Sequence, residues 1–212
     1  MIDFQLTDEQ LAVQAKFRDF VQQWIVPNRL KYDELAEFPW EIVHAAYDEG
    51  LMNGPMDAEF GGQGHGLLEC ALASEELGAG CMGIGICIDA NTLALTPLYI
   101  AAEEDQKKKY FGLINETRGV AAYGLTEPNA GSDVQGIRST AIKQGDKYIL
   151  NGHKRFITNA EVSTFMTVFA QTDPEKGARS LTAFLVPSDS PGVEFKPRLQ
   201  KMGQRASVQN EV

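Results

Sequence analysis

The run Thr126-Glu127-Pro128-Asn129-Ala130-Gly131-Ser132-Asp133, answered across a hairpin by Phe156-Ile157-Thr158-Asn159, carries the residue types best suited to hold a charged, planar ligand. Pro128 stiffens the turn and Gly131 permits positive φ, so successive backbone N–H groups can point to one side. Such a nest suits an anionic diphosphate, and the Ser132 hydroxyl adds a donor. The hydroxyls of Thr126 and Thr158 can meet the polar edge of a heterocycle while Phe156 lies against its face. Pro-Asn-x-Gly turns are common in β-proteins, so the loop needs support from the rest of the chain.

Other side chains point away from metal or disulfide chemistry. Cys70, Cys81 and Cys87 form an odd set without a C-x-x-C pair, which reads as thiols in a reducing compartment. His44, His65 and His153 are scattered, without a carboxylate at ligand spacing, and read as turn or surface histidines; no metal site is expected. Nineteen Lys and Arg stand against 29 Asp and Glu, a net charge of −10 that disfavours nucleic acid and anionic membranes. The start, Met1-Ile2-Asp3-Phe4-Gln5, shows no signal or transit pattern, so a cytoplasmic location is expected. The apolar stretch 81–102 is interrupted by Asp89, Asn91 and Pro97 and reads as a buried helix, not a membrane span.

The elements that must position the loop fall into two halves. Apolar residues recur at three- and four-residue steps over 7–24, where Thr7 and Gln10 can form a capping box, and the helix should stop at Pro27. Further helices are expected at 41–49 after Pro39, at 67–77 ending at Gly78, at 84–100 and at 103–115. After Gly119 the period shortens, with strands expected at 120–125, 137–143, 147–151, 155–158, 165–171, 181–186, 193–196 and 206–212. The expected class is α+β: an all-helical domain, 1–118, then a small antiparallel β-barrel or sandwich, 119–212, whose last run reads as a strand cut short.

Taken together, Glu59-Phe-Gly-Gly62, Glu75-Glu-Leu77, Gln106-Lys-Lys-Lys-Tyr110, the 123–133 segment, Asn151-Gly-His-Lys154, Phe156-Ile-Thr-Asn159 and Lys201-Met-Gly-Gln-Arg-Ala-Ser207 resemble the acyl-CoA dehydrogenase family. The resemblance implies FAD as cofactor and α,β-dehydrogenation of an acyl-CoA thioester to a trans-2-enoyl-CoA. By matching motif, Tyr123, Leu125 and Thr126 would contact the flavin ring region, and Gly131 and Ser132 the diphosphate. Phe156, Ile157 and Thr158 would complete the site, with Phe156 standing where many members have Trp. Ser132 would also lie near the CoA moiety of the substrate. The catalytic base of the family is a Glu of a C-terminal helical bundle, expected beyond Val212, so no residue here inherits that role. Glu127 is read as shaping the flavin loop.

The same resemblance implies an electron-transfer flavoprotein as acceptor, and assembly as a homo-oligomer or with a chain carrying the C-terminal domain. Two alternatives stay open on the sequence: an acyl-CoA oxidase or flavin monooxygenase relative, and a non-catalytic flavin- or CoA-binding module. The aliphatic residues Ile86, Ile88, Leu93 and Leu95, on the segment that partly floors the acyl pocket in such enzymes, read first as core.

Overall fold

A computed structural model describes residues 5–212, so the reading of Met1–Phe4 lies outside the described residues. The helical half opens with α1 (Asp8–Phe20), whose capping box is in place: the Thr7 hydroxyl accepts from the Gln10 N–H at 3.2 Å and the Gln10 amide oxygen accepts from the Thr7 N–H at 3.0 Å. Its buried stripe carries Phe17 and Phe20, and the helix continues as a π-helical turn over Val21–Ile25. A short helix absent from the sequence reading, α2 (Arg29–Leu35), buries Tyr32 alone and therefore shows no apolar repeat. Next, α3 (Trp40–Asp48) starts after Pro39, and Gly50 follows it at φ +62°.

The two helices expected at 67–77 and 84–100 are present, but their junction differs from expectation. Helical hydrogen bonding runs through α4 (Leu67–Ala101) with one break, at Cys81, where the backbone is extended at φ −168°, ψ 110°. A Cβ on Gly85 would sit 3.0 Å from the Leu77 Cβ. In an unbroken helix those residues would be about 12 Å apart, at ~1.5 Å of rise per residue. The chain therefore folds back at Cys81 into two antiparallel segments. Gly78 does not end the helix. The glycine that matters nearby is Gly80, where a Cβ would collide with the Val21 side chain in the π-helical turn. By length and composition α4 could cross a membrane, yet half of its most apolar window is buried inside the protein and the break divides it.

The helical half closes with α5 (Glu104–Thr117), capped through Glu103 and Gln106. The strands that follow are β1 (Val120–Gly124), β2 (Thr140–Gln144), β3 (Lys147–Asn151), β4 (Ile157–Thr158), β5 (Ser163–Gln171), β6 (Leu181–Pro187) and β7 (Gln209–Asn210). They form a five-stranded sheet in which β5 pairs with β1, β2 and β6, and β2 with β3; β4 and β7 form a separate ladder. The helical-then-β order holds, but the pairing is mixed and not wholly antiparallel. β1 runs parallel to β5 across five residue pairs, and β2 meets β5 in parallel at Thr140–Gln171. The long excursion through the 126–133 loop and the β2–β3 hairpin supplies the crossover that parallel strands require. Residues 193–196 form no regular strand, although Lys196 donates to the Glu211 carbonyl at 2.8 Å. The strand expected at 155–158 is shortened to its last two residues because Phe156 takes φ +59°.

The two halves share their cores. Val120, Ala206 and Val208 pack with Phe17, Phe20 and Ile84, while Ala121 and Phe165 pack with Leu95, Leu98 and Phe111. A buried amide chain crosses the same boundary. Asn91 on α4 accepts from the Ala121 N–H at 2.8 Å and donates to Asn53 at 2.9 Å; Asn53 donates to Asn115 at 3.1 Å; Asn115 donates to the Phe60 carbonyl at 2.8 Å. Asn53 and Asn91 are both 0% exposed. Replacing Asn91 by Ala leaves the Ala121 N–H and the Asn53 oxygen buried without partners. Each unsatisfied group costs about 1–3 kcal/mol, so N91A, which strands two, is expected to lose about 2–6 kcal/mol in urea denaturation; a loss below ~1 kcal/mol would show that these groups find water instead.

Candidate functional site

A cleft of about 620 Å³ opens between the helical half and the sheet. One wall is apolar and comes from both segments of α4, with Leu77, Ile86, Ile88 and Leu93 prominent; the other is formed by Tyr123, Thr126, Phe156, Ile157 and Thr158. Five of the eight residues singled out in the sequence thus meet at one place. Leu125, Gly131 and Ser132 do not line it. Ile86, Ile88 and Leu93 face the cleft, whereas Leu95 is buried in the core.

Phe156 is the most unusual member. Its backbone is left-handed at φ +59°, its ring is 54% exposed, and the Arg155 guanidinium lies 4.7 Å from the ring centroid. A bulky residue in that backbone region is strained by about 1–3 kcal/mol, and such strain persists where neighbours over-determine it. The neighbours are identifiable: Arg155 N–H donates to the Thr126 carbonyl at 2.8 Å, and Ile157 is buried against Ala122, Ala160 and Met166. Asn159, also left-handed at φ +66°, donates through its side chain to the Cys87 carbonyl on α4 at 2.9 Å. These contacts aim an aromatic face outward. Thr158 is held by Gln209 on β7, whose amide donates to the Thr158 hydroxyl at 3.0 Å and leaves the hydroxyl hydrogen free to donate. Tyr123 packs edge-on against Phe169 with centroids 5.2 Å apart, and burial pushes its phenol above the ordinary value.

The loop after Thr126 is a tight turn, closed by Glu127 N–H to the Ala130 carbonyl at 3.0 Å and the reciprocal bond at 3.2 Å. Gly131 was expected to supply positive φ; it is not among the left-handed residues, and a Cβ there would meet nothing. Gly131 and Ser132 are exposed beyond the turn, so the loop's shape comes from another source. That source is Glu127. Its carboxylate is 8% exposed, accepts from the Arg138 N–H at 2.7 Å and the Ser139 N–H at 3.0 Å, takes the Ser139 hydroxyl, and pairs with the Lys154 ammonium at 2.8 Å. Lys154 donates as well to the Leu125 carbonyl at 3.0 Å. The reading of Glu127 as a turn-shaping residue agrees with this geometry.

Residues with no assigned site role in the sequence reading also reach the cleft. Ser74, Asp89, His65 and Cys70 line it, and burial moves the His65 imidazole below its ordinary value. No pattern in the sequence marked them, because Ser74 and Asp89 meet only through the break at Cys81. Among the described residues no group of three or more His, Cys, Asp or Glu is placed to hold a metal ion.

The electrostatics of the staple set a pH dependence. Burial works to raise the Glu127 pKa, but the bonds from Lys154, Ser139 and Arg138 outweigh it and bring the value from 4.5 down to about 2. A lowered folded-state pKa means that the stabilisation is complete above the unfolded value and is lost as pH falls toward the folded one. Stability is expected to drop by about 3 kcal/mol between pH 4.5 and 2 on this account. E127A, which strands the buried Lys154 ammonium, should cost ~3–5 kcal/mol at neutral pH and flatten that acid limb. Chemical denaturation at a series of pH values checks both; an acid limb unchanged in E127A would assign the slope to other carboxylates.

Comparison with known proteins places the chain. The profile of the acyl-CoA dehydrogenase N-terminal domain matches residues 7–116, and that of the middle domain matches residues 122–212. A probable medium-chain specific acyl-CoA dehydrogenase of Caenorhabditis briggsae is 40% identical over 209 residues, which cover 97% of this chain and 51% of that protein. Butyryl-CoA dehydrogenase from Megasphaera elsdenii has a TM-score of 0.91 at 33% identity, covering 99% of this chain and 56% of that one. A glutaryl-CoA dehydrogenase from Mycobacterium smegmatis, solved in complex with FADH2, has a TM-score of 0.87 at 31% identity, covering 97% and 52% respectively. The chain spans about half the length of the curated relatives it matches. On the order and extent of these matches, together with a cleft walled by the 123–126 and 156–158 segments, the chain belongs to the acyl-CoA dehydrogenase family.

Proposed function

We propose that this chain supplies the helical domain, 1–118, and the β-domain, 119–212, of an FAD-dependent enzyme that dehydrogenates an acyl-CoA thioester to its trans-2-enoyl product. The observation that carries the reading is the cleft itself: an apolar wall from α4 faces a wall where Tyr123, Thr126, Phe156 and Thr158 converge. The residues present fit a flavin. An exposed ring held in a strained backbone offers a stacking face, and two threonine hydroxyls at its side offer partners for a polar ring edge. When bound, the flavin supplies the two-electron acceptor for the β-hydrogen.

In this scheme Phe156 and Tyr123 bracket the ring region, Thr126 and Thr158 present hydroxyl groups to its edge, and Leu125, whose carbonyl is held by Lys154, positions Thr126. Ile157 is a packing residue whose burial fixes its neighbours. Gly131 and Ser132, exposed at the end of the loop, are proposed to reach the diphosphate, and Ser132 the CoA moiety. Ile86, Ile88 and Leu93 exclude water from the alkyl tail. The α-proton is proposed to pass to a Glu carboxylate outside residues 5–212, as in the family pattern. An electron-transfer flavoprotein is the proposed acceptor, and the protein is proposed to be cytoplasmic and to assemble as a homo-oligomer or with a chain carrying the C-terminal bundle.

Titration of flavin fluorescence with the purified chain tests the site directly. Saturable quenching is expected, with T158A and F156A each weakening FAD by about tenfold, the loss of one hydrogen bond or one stacking face. Anaerobic addition of a saturated acyl-CoA series follows, read by visible absorption. Retained flavin without bleaching fits a base supplied from elsewhere; bleaching places a base within these residues. Quenching insensitive to both substitutions would remove the flavin from this cleft.

A further inference from the structure

The acyl side of the cleft is not uniformly apolar. Among Leu77, Ile86, Ile88 and Leu93 stands Asp89, with Ser74 lining the same wall from the antiparallel segment of α4. A carboxyl beside a plain alkyl chain is desolvated with nothing returned, a cost of a few kcal/mol. Substituting a hydrophobic residue would remove that cost, so its place in this wall calls for a ligand group that uses it. A carboxyl offers several acceptor positions, and a donor that enters the cleft can reach them. The other titratable groups on the helical wall are His65 and Cys70; burial shifts His65 toward its neutral form and Cys70 toward its thiol. Neither therefore sets a fixed cation there to draw a negatively charged tail. On the sheet side Tyr123 is the titratable group, and it too is held toward its neutral form.

The geometry points to Asp89 as a specificity determinant that makes this cleft select acyl thioesters whose tails carry a hydrogen-bond donor, such as a hydroxyl, over plain alkyl tails and over tails ending in a carboxylate. The inference rests on the acyl-thioester reading above and deepens it. A donor on the tail satisfies the open acceptor positions of Asp89, whereas a terminal carboxylate brings a second acceptor-only group against the first. Burial raises the Asp89 pKa, which agrees with a carboxyl poorly reached by bulk water.

The test is calorimetric binding of three probes of equal chain length to the 212-residue chain in saturating FAD: hexanoyl-CoA, ω-hydroxyhexanoyl-CoA and adipoyl-CoA. The hydroxylated thioester is expected to bind about tenfold more tightly than hexanoyl-CoA, as one hydrogen bond to a carboxyl predicts, and adipoyl-CoA no more tightly than hexanoyl-CoA. Asp89→Ala should bring the first ratio to about one by strengthening hexanoyl-CoA and weakening the hydroxylated probe. Asp89→Asn, nearly isosteric and so a check on folding, should keep the preference for the hydroxyl and admit adipoyl-CoA. A preference unchanged in Asp89→Ala, or no preference in the parent chain while hexanoyl-CoA still binds, overturns the inference alone. No binding of any of the three thioesters overturns the acyl-thioester reading and this inference with it.

Discussion

The reversal of the chain at Cys81 is the constraint on which the rest of this structure depends. One residue in extended conformation turns a 35-residue apolar run into two antiparallel segments, and the contact of Leu77 with Gly85 shows how closely they pack. The glycines on either side allow it. Gly80 lets the first segment press on the π-helical turn after α1, Gly83 lies against the backbone of Gln204, and Gly85 admits Leu77. A side chain at any of these positions would force the layers apart, because protein interiors have no slack to absorb even one methyl group. The reversal leaves the second segment with one face toward the sheet and another toward the cleft.

Asn91 converts that packing into register. Its amide takes the Ala121 N–H from β1 on one side and reaches Asn53 on the other, so a strand, a helix and a loop are fixed by one side chain. Thr167 adds a second tie, donating to the Ala94 carbonyl at 2.7 Å, and Asn159 a third through the Cys87 carbonyl. All three bonds lie along the second segment of α4 and are buried, where hydrogen bonds are least diluted by water. They hold β1, β4 and β5 at a set height on the helix, and the cleft residues of β1 and β4 inherit that placement.

The loop next to the cleft is shaped from beneath. The sequence suggested that Gly131 would bend it by adopting positive φ, yet the left-handed residues in this region are Phe156 and Asn159, on the opposite hairpin. The bend comes from a buried ion pair, Glu127 with Lys154, that also draws in two backbone N–H groups and the Leu125 carbonyl. Such a pair is costly to desolvate, and the cost is offset here by the further bonds with Arg138, Ser139 and the Leu125 carbonyl. Its role is specification: it clamps the 126–130 turn to the segment that carries Phe156.

The sequence alone determined what depends on local repetition and local chemistry. The capping box at Thr7, the helices at 41–49 and 103–115, the strand at 147–151 and the shift from helical to extended period near Gly119 follow from neighbours a few residues apart. The same is true of the cleft-lining segments at 123–126 and 156–158, whose motifs are contiguous. What the tertiary structure decided concerns residues distant in sequence: the parallel pairing of β1 with β5, the partner of Glu127, the placing of Ser74 and Asp89 in one cleft wall, and the strained backbone of Phe156. α2 was invisible for a related reason, since it buries one tyrosine and shows no apolar repeat, and its ties through Asp33 and Arg29 reach residues distant in sequence. Periodicity reports which face of an element is buried; it carries no information on which other element covers that face, and that choice is made by packing and by the need of each buried polar group for a partner.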